Sequence, residues 1–355
     1  MLLPILAVVI SLFVLVVLLA WANADHPKDN SDVRVLSKAS APLLRPGQKL
    51  KIMTYNIQFL AGKNYIFFHD IPDFTGGVDT RVDQKDIISS ADGIARMIAD
   101  ESPDIICLQE VDDGSRRTNY KDQLSILLDR LPSEYSYYVS AFYWKLKILP
   151  HPKMFGPIGM KTAIISKYKI DKAVRRNLPN LPVNFFLKQF YGNKLVLQAF
   201  LPVEDGSQIS VMSTHLDAFT IGTDIMTAQL NSLRAHIYDL DAQHIPWMLA
   251  GDFNLLPPGQ YKKLIDSHRF YYNPDTEIKS FYEEFKIIPA LEDATGEHAD
   301  KWFTYFGNDS RLTEPDRTLD YIVYSGNINL AESHVRLSDT KQLSDHYPVV
   351  ATFEL

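Results

Sequence analysis

Six places in this 355-residue chain set an amide, a carboxylate or an imidazole at the end of an apolar run. Asn56 follows Ile52-Met53-Thr54-Tyr55, Glu110 follows Ile106-Cys107-Leu108-Gln109, and His215 follows Val211-Met212-Ser213-Thr214. Asp252 and Asn254 close Trp247-Met248-Leu249-Ala250-Gly251. Asp320 precedes Tyr321-Ile322-Val323, and Asp345-His346 precedes Tyr347-Pro348-Val349-Val350. Any one of these, taken alone, is an ordinary solvated strand end, cap or turn residue. All of them, however, are of types that hold hard cations or move protons. If the strand ends converge on one rim, the chemistry available is acid–base catalysis beside an oxygen-ligated ion.

Apolar, β-rich runs alternate with helical stretches from Lys49 onward. Strands are expected at Leu50–Ile57, Asp104–Val111, Lys161–Ser166, Lys194–Val203, Gln208–His215, Pro246–Phe253, Thr318–Tyr324 and Tyr347–Leu355. Helices are expected at Arg81–Asp100, Tyr120–Arg130, Asp224–Asp241 and Gly259–Ser267. In the first of these, Ile87, Ile88, Ala91, Ile94, Ala95 and Ile98 recur at helical spacing, and Pro103 breaks the chain before the next strand. So many strands bury more surface than one helix layer covers; two packed sheets with helices outside satisfy the pattern.

The segments Tyr55-Asn56-Ile57, Leu108-Gln109-Glu110-Val111, Ser213-Thr214-His215-Leu216, Gly251-Asp252-Phe253-Asn254, Leu319-Asp320-Tyr321 and Ser344-Asp345-His346-Tyr347-Pro348 resemble, in this order, the motif set of the endonuclease/exonuclease/phosphatase superfamily. That superfamily includes pancreatic-type deoxyribonucleases, abasic-site endonucleases, neutral sphingomyelinases and inositol-polyphosphate phosphatases. The resemblance covers essentially all of the chain from Asn56 to Pro348. It implies a four-layer α/β/β/α sandwich of two mixed sheets, with the site at one edge. It further implies Glu110 as the main Mg²⁺ ligand, with Mn²⁺ a possible substitute, Asn56 as its neighbour and Asp345 joining through water. His346 would be a general base or acid whose tautomer Asp320 fixes. Asp252 would orient or deprotonate the attacking water, and Asn254 and His215 would donate to phosphoryl oxygens. Whether Asp252 or His346 is the base stays open at this point. The remaining histidines, His69, His151, His236, His244, His268, His298 and His334, match no motif and read as surface or core groups, and Gly76-Gly77 is too short for a phosphate-cradling loop.

The net charge of −7 hides a basic stretch: from Tyr135 to Val203 there are eleven Lys or Arg and one acid, Asp171. Aromatics accompany the lysines in Phe142-Tyr143-Trp144-Lys145-Leu146-Lys147 and in Phe185-Phe186-Leu187-Lys188-Gln189-Phe190-Tyr191. A bilayer interface favours this mixture, since rings sit at headgroup depth and ammonium groups meet anionic lipid. Covered strands with surface lysines would produce it too, as would a nucleic-acid groove. The expected substrate is therefore a phosphodiester in a membrane-lipid headgroup, with nucleic acid as the alternative and an inactive membrane-bound binding module as a third reading. Nothing in the sequence marks a protein partner.

Residues Leu2 to Trp21 are apolar apart from Ser11, long enough to span a hydrocarbon core of about 30 Å. Residues 1–24 thus read as a single-pass anchor holding an extracytoplasmic catalytic domain. The alternative is a signal cleaved at Ala22-Asn23-Ala24, which has the small-x-small form. Residues 25–48 read as a polar tether, and 49–355 as the catalytic domain. One cysteine, Cys107, excludes an intrachain disulfide and a Cys-type zinc site, and its apolar surroundings place it in a core.

Overall fold

The eight expected strands all form, and in this computed structural model they close into two sheets. Residues 2–68, 70 and 78–355 are described; His69 and the Gly76-Gly77 pair lie outside them. The first sheet has the order β13 (Asn329–Val335), β14 (Val349–Glu354), β3 (Lys49–Asn56), β4 (Ile105–Asp112), β6 (Gly156–Ser166), β5 (Tyr137–Leu149), β2 (Leu36–Ser37). The second runs β1 (Asn30–Val33), β7 (Lys172–Asn177), β8 (Leu195–Pro202), β9 (Gln208–His215), β10 (Trp247–Asp252), β12 (Asp320–Tyr324), β11 (Lys286–Ile288).

Burial separates three apolar layers. Between the sheets, Ile52, Ile105, Cys107 and Ile164 meet Leu197, Val211, Met248 and Ile322. Outside the first sheet, α2 (Gln84–Glu101) and α3 (Gln123–Leu128) lay Ile87, Ile94, Ile98, Leu124 and Leu127 on Met53, Tyr55, Ile106 and Leu108. Outside the second, α5 (Ile225–Ala242) covers Met212, Trp247 and Leu249 with Leu230, Leu233, Ile237 and Leu240. Each such side chain contributes about 1.5–3 kcal/mol by leaving water. This is the four-layer α/β/β/α sandwich.

Among the described residues, β3–β4 and β9–β10 pair in parallel, and the other strand pairs are antiparallel. A parallel neighbour requires a crossover; α2 supplies it for β3 and β4, and α5 for β9 and β10. The two crossovers set Asn56, Glu110, His215 and Asp252 at the carboxyl ends of parallel strands, where open α/β sheets place their ligands.

Three expectations need amendment. The helix expected at Gly259–Ser267 is broken into a 3-10 turn at Gln260–Lys263 and a short α-helix at Asp266–Arg269, because Leu264 takes an extended backbone and is drawn into a small cluster with Leu256 and Leu319. The aromatic stretch 137–149, absent from the expected strands, is a thirteen-residue strand. Two bulges shift its inward face from Val139, Ala141 and Tyr143 to Leu146 and Leu149, hiding the period of two. Finally, the stretch 25–48 contains β1, which pairs with β7, and β2, which pairs with β5. It is stitched to an edge of each sheet. α1 (Leu2–Asn23) precedes it; among the described residues one helix, Leu3–Asn23, is long and apolar enough to cross a membrane.

Candidate active site

Register draws the first row of the site. His215 lies opposite Asp252 across β9–β10, and Asp252 opposite Asp320 across β10–β12, so three titratable side chains share one level of the second sheet. The approach of β10 to β9 is close: a Cβ on Gly251 would lie 2.0 Å from the Thr214 carbonyl oxygen, which only glycine avoids.

The first sheet supplies its groups by bending. The β4–β6 register shifts between Leu108 and Val111, and Glu110 inside that bulge has a left-handed backbone, φ +56°, which turns its carboxylate into the cleft. After Asn56, the residues Gln58, Phe59 and Leu60 are all left-handed. Bidentate pairing of buried Arg117 with Asp112, at 2.9 and 3.0 Å, holds the far end of β4, and the Arg117 guanidinium lies 3.6 Å from the centre of the Phe59 ring. Beneath the cleft, Gln109 Nε2 donates to Ser213 Oγ at 3.1 Å and ties the two sheets together.

His346 is the junction of the two sheets. Its Nδ1–H donates to Asp320 Oδ2 at 2.8 Å, and its Nε2 lies 3.6 Å from Asp252 Oδ2. Burial opposes charge on this ring, but the carboxylates of Asp320 and then Asp252 outweigh it and raise its pKa, keeping the imidazolium. Asp252 is raised by burial, against the pull of His346. Its Oδ1 accepts the Asn254 N–H at 2.9 Å and its Oδ2 accepts Asn56 Nδ2 at 3.0 Å. His215 Nε2 also lies 3.6 Å from Asp252 Oδ2; burial, then Lys194, lowers this imidazole and keeps it neutral. Its Nδ1 has no hydrogen-bond partner among the described residues.

A cleft of about 110 Å³ is lined by six of the eight residues singled out from sequence: Glu110, His215, Asp252, Asn254, Asp345 and His346. The other two stand behind it, Asn56 braced on Asp252 and Asp320 on His346. The Asn56 Oδ1 accepts the Gln58 N–H at 3.0 Å, which leaves it one lone pair for an ion. The Asn254 amide gives one of its hydrogens to the Leu216 carbonyl at 3.1 Å and keeps one for the cleft.

Among the described residues, Asp252, Asp320 and His346 bring their ligand atoms within 4.8 Å of one another, a mixed nitrogen–oxygen set that already shares the Asp320–His346 hydrogen bond. Glu110, Asp345 and Asp70 line the same cleft and offer oxygen ligands only. Burial raises Asp70 to about 7 and nearby Glu110 pushes in the same direction, so a cation between these carboxylates would relieve a like-charge cost.

Several residues of the site escaped sequence reasoning. Half-buried Lys194 lies 5.0 Å from the centre of the Tyr143 ring, and Tyr143 packs edge-on against His215 with ring centres 5.4 Å apart. Burial lowers the Lys194 pKa while Asp217, Asp252 and Glu110 resist. Lys194 stands just ahead of β8, and β8 is antiparallel to β9, so its upstream end meets the downstream end of β9; a search of upstream strand ends would have found it. Arg317 and His268 also line the cleft. His268 Nδ1 accepts from Arg317 Nη2 at 2.5 Å while its Nε2 donates to Asp309 at 2.9 Å, a fully used neutral imidazole rather than an isolated core group.

Comparison with known proteins gives the family and the fold. Residues 53–346 match the Endonuclease/Exonuclease/phosphatase family. A probable CCR4-Not complex 3'-5'-exoribonuclease subunit Ccr4 of Encephalitozoon cuniculi is 27% identical over 256 residues, 68% of this chain and 49% of that protein, so the chain spans about half the length of this relative. The structure of an endonuclease/exonuclease/phosphatase from Beutenbergia cavernae superposes with a TM-score of 0.59 at 23% identity, covering 87% of this chain and 72% of that one. Danio rerio TDP2 complexed with single-strand DNA product superposes with a TM-score of 0.53 at 15% identity, covering 87% and 100%. Across nearly 300 residues the family match spans both βαβ crossovers and ends on His346 itself, and the chain belongs to the endonuclease/exonuclease/phosphatase family, whose members are divalent-metal-dependent hydrolases of phosphoester bonds.

Proposed function

We propose that this chain hydrolyses a phosphodiester in a membrane-lipid headgroup, by direct attack of water on phosphorus. The observation that carries the substrate class is a position: the exposed segment Phe185, Phe186, Leu187 and Tyr191 ends three residues before Lys194, which stands beside the cleft. These exposed apolar side chains and the reacting centre are thus neighbours along the chain, which supports a bilayer as the source of substrate.

Glu110 and Asp345, with Asn56 beside them, would hold the ion; an oxygen-only set suits Mg²⁺, or Mn²⁺, better than a thiolate- or imidazole-loving metal. When bound, that ion offsets the charge building on the phosphoryl oxygens. Asp252 is the better base, because burial raises its proton affinity while His346 is held charged by two carboxylates. The water's proton passes to Asp252 as its oxygen bonds to phosphorus. The bond to the leaving oxygen breaks with its electron pair, and the imidazolium of His346 supplies a proton to that side. Asn254, His215 and Lys194 face the phosphoryl oxygens.

The test is headgroup release by the full chain in vesicles with Mg²⁺, beside hydrolysis of a water-soluble aryl phosphodiester. Glu110→Ala and His346→Ala should each abolish both activities, a loss on the order of 10²–10⁴-fold or more. Full turnover in excess chelator, or in both variants, would overturn the reading. A second reading, hydrolysis of nucleic acid, has its own support: Phe219 and Phe270 are exposed on the rim beside Tyr271, where bases could stack, one relative is named a probable exoribonuclease subunit, and one structural neighbour is complexed with single-strand DNA product. Cleavage of single-stranded DNA without headgroup release would favour it.

A further inference from the structure

The carboxyl end of α1 is finished by the catalytic domain. A helix leaves its last carbonyls without partners, and here residues from the domain side meet them. Lys147 Nζ donates to the Ala22 carbonyl at 2.9 Å, and the Trp21 carbonyl accepts from the Ala24 N–H and from His26 Nε2. The Asn23 amide clasps the backbone of Ile148 in both directions, donating to its carbonyl at 2.7 Å and accepting its N–H at 2.8 Å. Ala24 bridges to Leu146, and the Asp25 N–H donates to the Lys145 carbonyl. The residues of the Ala22-Asn23-Ala24 sequence are therefore built into the end of β5.

Beside this joint lies α4 (Phe185–Lys188), which has no buried residue; Phe185 is 60% exposed and Tyr191 48%. It is braced on the same strand, with Trp144 Nε1 donating to the Phe190 carbonyl and the Asn193 N–H donating to the Tyr143 carbonyl. Trp21, Lys145, Phe185, Lys188 and Tyr191 line one shallow pocket between α1 and α4. The cleft is near: Tyr143, packed on His215, is three to five residues along β5 from the joint, about 10–16 Å at the rise of a strand.

We propose that α1 is a retained anchor joined stiffly to the catalytic domain, and that α4 and Tyr191 seat in the bilayer interface beside it, holding the cleft at headgroup level. This deepens, and for its purpose rests on, the lipid reading above. The occupant is a bilayer because the apolar surface of α4 continues that of α1, whose side chains from Leu3 to Trp21 are largely exposed. Lysines 145, 147 and 188 mark the level of anionic headgroups. The β8–β9 turn at Asp205 lies at the other end of the strand whose last residue is His215, and so points away from the membrane.

The experiment uses the full chain in vesicles of phosphatidylcholine and phosphatidylglycerol, with nitroxide labels on Phe186→Cys, Leu187→Cys or Asp205→Cys in turn. Hydrolysis of a soluble phosphodiester reports that each labelled protein is folded. Power saturation with oxygen and an aqueous nickel chelate should place the first two labels about 5–10 Å below the headgroup level and the third in water. Labels at 186 and 187 as open to nickel as that at 205 would overturn the seat. Double labels on Leu19→Cys and Asp205→Cys should give one narrow distance distribution that broadens when Asn23→Ala and Lys147→Ala are added; a broad distribution in the parent would overturn the stiff joint. Seated labels without headgroup release would sink the lipid substrate and leave the anchor geometry standing, whereas headgroup release with labels in water would do the reverse.

Discussion

The two sheets furnish the cleft in opposite ways. The second sheet contributes His215, Asp252 and Asp320 as a straight row, set by undisturbed register across three strands. The first contributes Glu110 from a bulge and Asn56 ahead of a left-handed turn. Asp252 and Asp320, which take the water's proton and orient His346, need hydrogen-bond distances held to fractions of an ångström, and a ladder of paired strands holds them. Ion-holding carboxylates must point away from their own sheet into a shared space, and irregular backbone aims them there. The regular side is stiff through its main chain, while the bent side depends on side-chain braces such as Arg117–Asp112.

Substitutions on each side sharpen this contrast. Asp320→Asn should have the largest effect, with kcat falling on the order of 10²–10⁴-fold. Its carboxylate is the main force raising His346. Activity that needs the imidazolium is present below the His346 pKa and lost above it, so the alkaline limb of the pH–rate profile should move to lower pH. An unmoved limb would separate Asp320 from His346. Gly251→Ala should follow, because its Cβ must push β10 from β9; a displacement near 1 Å costs about 10²-fold in kcat, read with the thermal transition alongside. Arg117→Ala should act chiefly on stability, about 3–5 kcal/mol by urea unfolding, since it leaves buried Asp112 without its ion-pair partner. Turnover per folded molecule should change least of the three. If Arg117→Ala removed kcat as deeply as Asp320→Asn, the division between a stiff row and a braced bend would fail.

Much of this site could be read in advance from its one-dimensional pattern. Six apolar runs ending in cation- or proton-handling residues name eight of the groups that line or back the cleft. What escaped was whatever depends on direction. Lys194 was missed because an antiparallel partner presents its upstream end. Arg317 reaches the cleft from a loop and His268 from the short helix Asp266–Arg269, neither with a strand-end pattern. β5 was missed because two bulges break its alternation, and β1 and β2 because four and two polar-flanked residues carry too little signal. The helix expected at Gly259–Ser267 failed because Leu264 gains more by burial beside Leu319 than by continuing a turn.

The sequence by itself determined the sandwich, the family and which residue types stand at the strand ends, because apolar periodicity and residue type are local properties that survive in one dimension. The tertiary structure decided how these residues touch. It seats Asp320 on His346, the pairing the family resemblance implied, and it alone makes Asn56 the brace of Asp252 and β5 the common support of the cleft and the anchor. Those pairings join residues 26, 196 and 125 positions apart, and only packing two sheets face to face, with a helix end sewn to one of them, brings such distant groups within hydrogen-bond reach.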